Sequence, residues 1–167
     1  MIGEINMNVL LIDDEKIITD AIQDRLRDIR FTKSFNGFSR IDVANNFYQA
    51  ITCLDNQEKP YDIIISDLLM PGTGLDDTIR TRGTVLNGWT FLYHNILSSS
   101  GAYYQKYNDS CKMVVFSAYK RELEQFLTKA NMQEYLTKIY FVEKGHIYNA
   151  NGGYASLIRT IESLIES

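Results

Sequence analysis

The sequence has 167 residues, 45% hydrophobic and 12% aromatic, with a formal net charge of -4 at pH 7, which suits one globular domain over residues 1–167 with a sizeable core. The acidic balance leaves no electrostatic footprint for direct binding of nucleic acid, no run of Lys and Arg marks a membrane surface, and no apolar stretch nears the roughly 18 residues that span a bilayer. The opening MIGEINMNVLLIDD meets an acidic pair before its apolar run reaches the length of a signal peptide, so a cytoplasmic location is expected.

In chain order, short apolar runs alternate with helical patterns. The run 7–13, MNVLLID, reads as a strand. Ile18, Ile22, Leu26 and Ile29 then recur at helical spacing and predict a helix over 15–29 with one apolar stripe. A second strand is expected at 40–45, RIDVAN, and a helix at 46–55. A third strand, YDIIISD at 61–67, runs straight into Met-Pro-Gly. Residues 88–98 predict a helix, 112–118 (KMVVFSA) a strand, 120–136 a helix and 138–144 (KIYFVEK) a fifth strand. A last helix is expected over 152–166, with Leu157, Ile158, Ile161, Leu164 and Ile165 as its apolar positions. The connections at 30–39 and 99–111 read as long loops. Strands of continuous Val, Ile and Leu, without polar alternation, belong to a parallel sheet covered by helices on both faces. Right-handed crossovers then make it a doubly wound α/β fold. Cys53 and Cys111 are too few and too ordinarily placed for a disulfide framework or a metal cluster, and His94 and His146 form no ligand pair.

Ligands of such sheets bind beyond the carboxyl ends of the strands, and the polar residues fall there. Asp13 and Asp14 end the first strand, Asp67 the third, Ser117 the fourth and Lys144 the fifth. If these strands are neighbours, three carboxylates, a hydroxyl and an ammonium converge. Two carboxylates ~5 Å apart repel by roughly 3 kcal/mol at an effective dielectric near 20. A divalent cation relieves that cost, and Mg2+ accepts a pair of carboxylates plus a backbone carbonyl while keeping several waters. Lys144 and Ser117 add a positive charge and a donor. The set describes a site for a dianionic phosphoryl group with one carboxylate as nucleophile. Singly, each residue has a plainer reading: the acidic pair can open a helix, Asp67 can be a turn residue before Pro71, and Phe141 can be core. The combination favours phosphoryl chemistry.

The stretches LLIDDE, DIIISDLLMPG, VVFSA and FVEK, in that order and each at a strand end, resemble the receiver domain of bacterial two-component response regulators. The resemblance covers the whole chain and implies a flavodoxin-like sheet of order 2-1-3-4-5. It makes Asp67 the phosphoacceptor, and Asp14 and Asp67, with the carbonyl of Leu69, the ligands of Mg2+. Asp13 supports the ion through its waters. Ser117 becomes the switch hydroxyl, Lys144 the partner of the phosphoryl oxygens and Phe141 the switch aromatic, with the small Ala118 beside the phosphoryl group. The implied function is a phosphorylation-controlled signalling switch. Its donor is a histidine kinase or phosphotransfer protein, its target a downstream protein or output domain, and it catalyses only its own phosphorylation and dephosphorylation. Two alternatives stay open: a receiver-like binding module that works without phosphorylation, and an aspartyl-phosphate phosphatase of haloacid-dehalogenase type. The latter wants a second aspartate two residues after the nucleophile, where this chain has Leu69.

The chain also departs from the family pattern. Gly145 follows Lys144 where the family usually has a proline after a cis bond, so the geometry of the Lys144–Gly145 bond is open. An insertion at about 72–87 separates Pro71 from the next helix and is expected as a mobile flap, with a plain disordered insertion as its competitor. Arg80 and Arg82 in it could meet a phosphoryl group or an acidic partner, and Asp76 or Asp77 could supply a polar group for hydrolysis. Leu69 and Tyr119, two residues after Asp67 and Ser117, offer no carboxylate or amide to orient a hydrolysing water. Slow self-dephosphorylation is therefore expected.

Overall fold

Five strands, β1 (Ile5–Ile12), β2 (Phe35–Ala44), β3 (Ile63–Ser66), β4 (Lys112–Ser117) and β5 (Ile139–Glu143), pair in parallel in the order β2-β1-β3-β4-β5. This is the flavodoxin-like order that the resemblance implies. The structure, a computed structural model, describes residues 5–29, 35–55, 59–75, 86–145 and 153–167. The helices are α1 (Lys16–Arg27), α2 (Phe47–Asp55), α3 (Asn87–Leu92), α4 (Tyr104–Tyr107), α5 (Lys120–Lys129) and α6 (Gly153–Glu166).

The two-residue period of the strands sorts their side chains into two cores. Leu10 and Ile12 of β1, Ile64 of β3 and Val115 of β4 pack with Phe47, Trp89 and Leu123, so α2, α3 and α5 cover that face. Val9 and Leu11, Ile63 and Ile65, Val114 and Val142 pack with Ile18, Ile22, Leu157 and Ile161, so α1 and α6 cover the other. Full burial of a side chain of this class contributes about 1.5–3 kcal/mol. The stripes of α1 and α6 therefore hold these helices with little help from intrinsic propensity.

Several boundaries differ from expectation. β2 begins at Phe35, so part of the expected loop 30–39 is strand, while 30–34 lie outside the described residues. As an edge strand paired with β1 alone, β2 tolerates the polar FNGFSR sequence. Its register slips twice against β1, with Gly37 at φ 114°. The helix expected over 88–98 is α-helical to Leu92 and π-helical from Tyr93 to Leu97, and the Ser98 N–H donates to the Tyr93 carbonyl (2.8 Å). The expected loop 99–111 contains α4, which is tied to the end of α2 by Tyr103 donating to Asp55 (2.5 Å) and Lys106 to the Leu54 carbonyl (3.3 Å).

The helix expected over 120–136 stops at Lys129. Asn131 sits at φ 54°, the Met132 N–H donates to the Leu127 carbonyl (2.8 Å) and the Asn131 N–H to that of Thr128 (3.2 Å). That is a Schellman stop with Asn in the left-handed position, and a 3-10 turn over Gln133–Thr137 leads into β5. Among the described residues no helix is long and apolar enough to cross a membrane. Of the expected insertion at 72–87, residues 76–85 lie outside the described residues, and with them Asp76, Asp77, Arg80 and Arg82; so does His146. No peptide bond among the described residues is cis, and Gly145 adopts φ 47°, which glycine reaches freely.

Candidate functional site

The sheet delivers the site residues on backbone still held by its neighbours. The Asp13 N–H donates to the Ala44 carbonyl of β2 (3.1 Å), the Asp67 N–H to that of Ile12 in β1 (2.9 Å) and the Lys144 N–H to that of Ser117 in β4 (3.2 Å). Each functional side chain thus stands one residue past its strand, on a frame that cannot shift without breaking ladder hydrogen bonds.

The side chains of Asp13, Asp67 and Lys144 meet. The Lys144 ammonium donates to Asp13 Oδ2 (2.8 Å) and Asp67 Oδ2 (2.6 Å), and Glu15 Oε1 lies 3.9 Å away. Asp67 Oδ1 accepts the N–H groups of Leu68 (2.6 Å) and Leu69 (3.2 Å), which fixes the carboxylate plane from the backbone side. Asp13 Oδ1 accepts the Glu15 N–H (2.9 Å), and the Asn45 amide donates to the Asp13 carbonyl (2.8 Å). Asp13, Asp67 and Lys144 are only 4%, 5% and 9% exposed. Burial pushes the Asp13 carboxyl above its usual range, outweighing the pull of Lys144 and the Glu15 N–H. Burial pulls Lys144 down, but the Asp67 and Asp13 carboxylates together outweigh it and hold the ammonium above its usual value.

Asp13, Glu15 and Asp67 each offer a carboxylate oxygen within 4.8 Å of the others. Asp14 is exposed and stands outside this group. Glu15 is a member that the sequence reading missed. It is the N-cap residue of α1 and makes no side-chain capping bond; its carboxylate turns instead toward Lys144. Three carboxylates against the one ammonium of Lys144 leave two negative charges, and all donors are hard oxygens. Oxygens on opposite sides of Mg2+ stand about 4 Å apart, so small side-chain movements would close the group on the ion. The residues present fit a divalent cation.

Ser117 is fully buried at the end of β4, and its Oγ has no hydrogen-bond partner among the described residues. Ala118 is exposed, Tyr119 and Phe141 are half-buried, and Lys120 lies 5.8 Å from the centre of the Phe141 ring. Leu69 is 44% exposed. Two further residues escaped the sequence reading because their role is one of close approach. A Cβ at Gly88 would overlap the Asp67 carbonyl oxygen, and the Asn87 amide donates to the Met70 carbonyl (2.8 Å). The Asn-Gly pair opening a helix was their visible trace.

No family model matches the sequence, and no curated protein matches it. In structure the chain is similar to the chemotaxis response regulator CheY4 of Vibrio cholerae (TM-score 0.57, 16% identity, 96% of this chain and 99% of that one). It is also similar to CheY6 of R. sphaeroides, solved in complex with the P1 domain of CheA3 (TM-score 0.57, 19% identity, 99% and 100%). The receiver domain of Francisella response regulator 1452 is a third such structure (TM-score 0.54, 18% identity, 96% and 98%). At these identities the likeness is one of fold, and it runs over nearly the whole chain: the protein has the fold of CheY-like response regulator receiver domains.

Proposed function

We propose that the chain, read as one domain over 1–167, is a phosphorylation-controlled switch of two-component signalling in the cytoplasm, with Asp67 as its phosphoacceptor. The observation that carries this is the Lys144 ammonium held between the buried carboxylates of Asp67 and Asp13, in a chain whose fold is similar to that of solved receivers. The donor is a histidine kinase or phosphotransfer protein, a reading supported by the CheY6 neighbour in complex with the P1 domain of CheA3. An Asp67 oxygen forms the O–P bond as the N–P bond of the donor's phosphohistidine breaks, and that electron pair returns to the imidazole nitrogen. Lys144 follows the charge from the carboxylate to a phosphoryl oxygen, and the Ser117 hydroxyl, without a partner among the described residues, supplies a second donor. Mg2+, held by Asp13, Asp67, the Leu69 carbonyl and either Asp14 or Glu15, would neutralise charge on the phosphoryl oxygens. Phe141 passes the change to a downstream protein or output domain. No direct contact with nucleic acid or membrane belongs to this reading, nor does turnover of an external substrate, for Leu69 stands where a phosphatase of this chemistry needs its acid–base aspartate.

Incubation with acetyl phosphate and Mg2+ should raise the intact mass by one phosphoryl group, and Asp67→Asn should stay unmodified. Equal labelling of the Asn variant refutes the assignment.

A further inference from the structure

A second set of contacts begins on the backbone of Asp67 and leads away from the carboxylates. Gly88, in the first turn of α3, lies so close that any side chain there would overlap the Asp67 carbonyl oxygen. Its N–H donates to the Leu68 carbonyl (3.0 Å), and the Asn87 amide to that of Met70 (2.8 Å). The start of α3 therefore has no slack against residues 67–70, and close-packed groups transmit a displacement instead of absorbing it. The next residue, Trp89, is buried. Its ring stacks on Tyr93 (centroids 5.9 Å, 26°) and meets the edge of Tyr135 (5.9 Å, 71°), while Tyr93 and Tyr135 meet edge to face at 5.3 Å. Tyr135 belongs to the 3-10 turn before β5. Its neighbour Leu136 lines, with Leu123, Ile139 and Phe141, an open groove between α5 and β5.

We propose that the Trp89–Tyr135 contact is a mechanical link that carries the occupancy of Asp67 through α3 to the turn at Gln133–Thr137. The link rests on the reading of Asp67 as phosphoacceptor and names a regulation of that site. A group bonded to Asp67 moves the 67–70 backbone, α3 moves with it, and the indole presses on or leaves the Tyr135 ring. Linkage makes the relation reciprocal: removing the contact must change affinity at Asp67 by the same factor that occupancy changes the contact.

The test uses the full chain with Mg2+ and beryllofluoride, an acyl-phosphate mimic that bonds to a carboxylate oxygen. Fluorine NMR measures the bound fraction, and Trp89, the one tryptophan of the sequence, reports by its emission. Bound beryllofluoride is expected to shift Trp89 emission in wild type and in Tyr135→Phe, which keeps the ring. In Tyr135→Ala the shift should vanish and the beryllofluoride affinity should change by about fivefold or more. Tyr135→Leu keeps apolar bulk and gives the same comparison if the alanine variant does not fold. Bound beryllofluoride that leaves wild-type emission unchanged, or that binds the Ala or Leu variant with wild-type affinity and an unaltered emission shift, overturns the link alone. Absence of bound fluoride in wild type overturns the Asp67 reading, and the link with it.

Discussion

Replacing Lys144 by methionine tests the electrostatic core of the site, because it keeps all but the last atom's length of the side chain and deletes the charge. In the native structure the ammonium holds two carboxylates that are almost wholly buried. Without it, oxygens of Asp13 and Asp67 within 4.8 Å of each other repel by about 3.5 kcal/mol at an effective dielectric near 20, in line with the ~3–5 kcal/mol cost of stripping one partner from a buried pair. For a chain of this size that corresponds to a fall of about 7–14 °C in the unfolding midpoint. The cost should depend on pH with a definite sign. Burial already holds the Asp13 carboxyl above the ordinary carboxylate value, and loss of Lys144 raises it further. A raised folded pKa gives stability that is complete below the unfolded pKa and is lost as pH rises through the folded one. The deficit of Lys144→Met should thus be largest near pH 7 and shrink toward about pH 4, as the folded variant takes up a proton before the unfolded chain does. Urea unfolding of both proteins across that range, without and with Mg2+, measures it, and Mg2+ should narrow the gap by replacing the missing charge. A Lys144→Met variant as stable as wild type at pH 7, with no pH dependence in the difference, refutes the reasoning.

Gly88→Ala places a methyl against the Asp67 carbonyl and should destabilise the fold by about 1–3 kcal/mol; wild-type unfolding in denaturant would show that α3 can move away. Mg2+ affinity, followed by calorimetry, should fall in Asp13→Asn, and unchanged affinity there refutes the ligand set. The same titration on Asp14→Ala and Glu15→Gln decides which of them supplies the third carboxylate. Phosphorylated wild type should lose its phosphoryl group slowly once the donor is removed, and a Leu69→Asn, Tyr119→Glu double variant faster. Equal decay shows that the two apolar groups do not shield the acyl phosphate.

What could be read from the sequence divides along a physical line. β3 and β4 are central strands packed on both faces, so Ile63 to Ile65 and Met113 to Phe116 are continuously apolar and the runs are visible in isolation. β2 lies at the edge, where backbone pairing with β1 suffices, and Phe35 to Ser39 carry no strand signal. The apolar spacing beyond Lys129 continues as if the helix did, but Asn131 turns left-handed and tertiary packing takes over. In the site, Asp13, Asp67 and Lys144 were legible because they end strands. Glu15 was not, since its part depends on which way a side chain turns at the start of α1. Gly88 was not either, because what matters there is the atom a glycine lacks.

The ion pairs of Lys144 join residues 131 and 77 positions apart in sequence, and this orders events during synthesis. At about 5–20 residues per second, roughly 4–15 s separate the translation of Asp67 from that of Lys144. Through that interval Asp13 and Asp67 lack the ammonium that joins them in the folded protein, so closing β1 on β3 brings two carboxylates together without it. The site also waits for α6, because Gly153 lies so close to Lys144 that a Cβ there would overlap the lysine carbonyl oxygen.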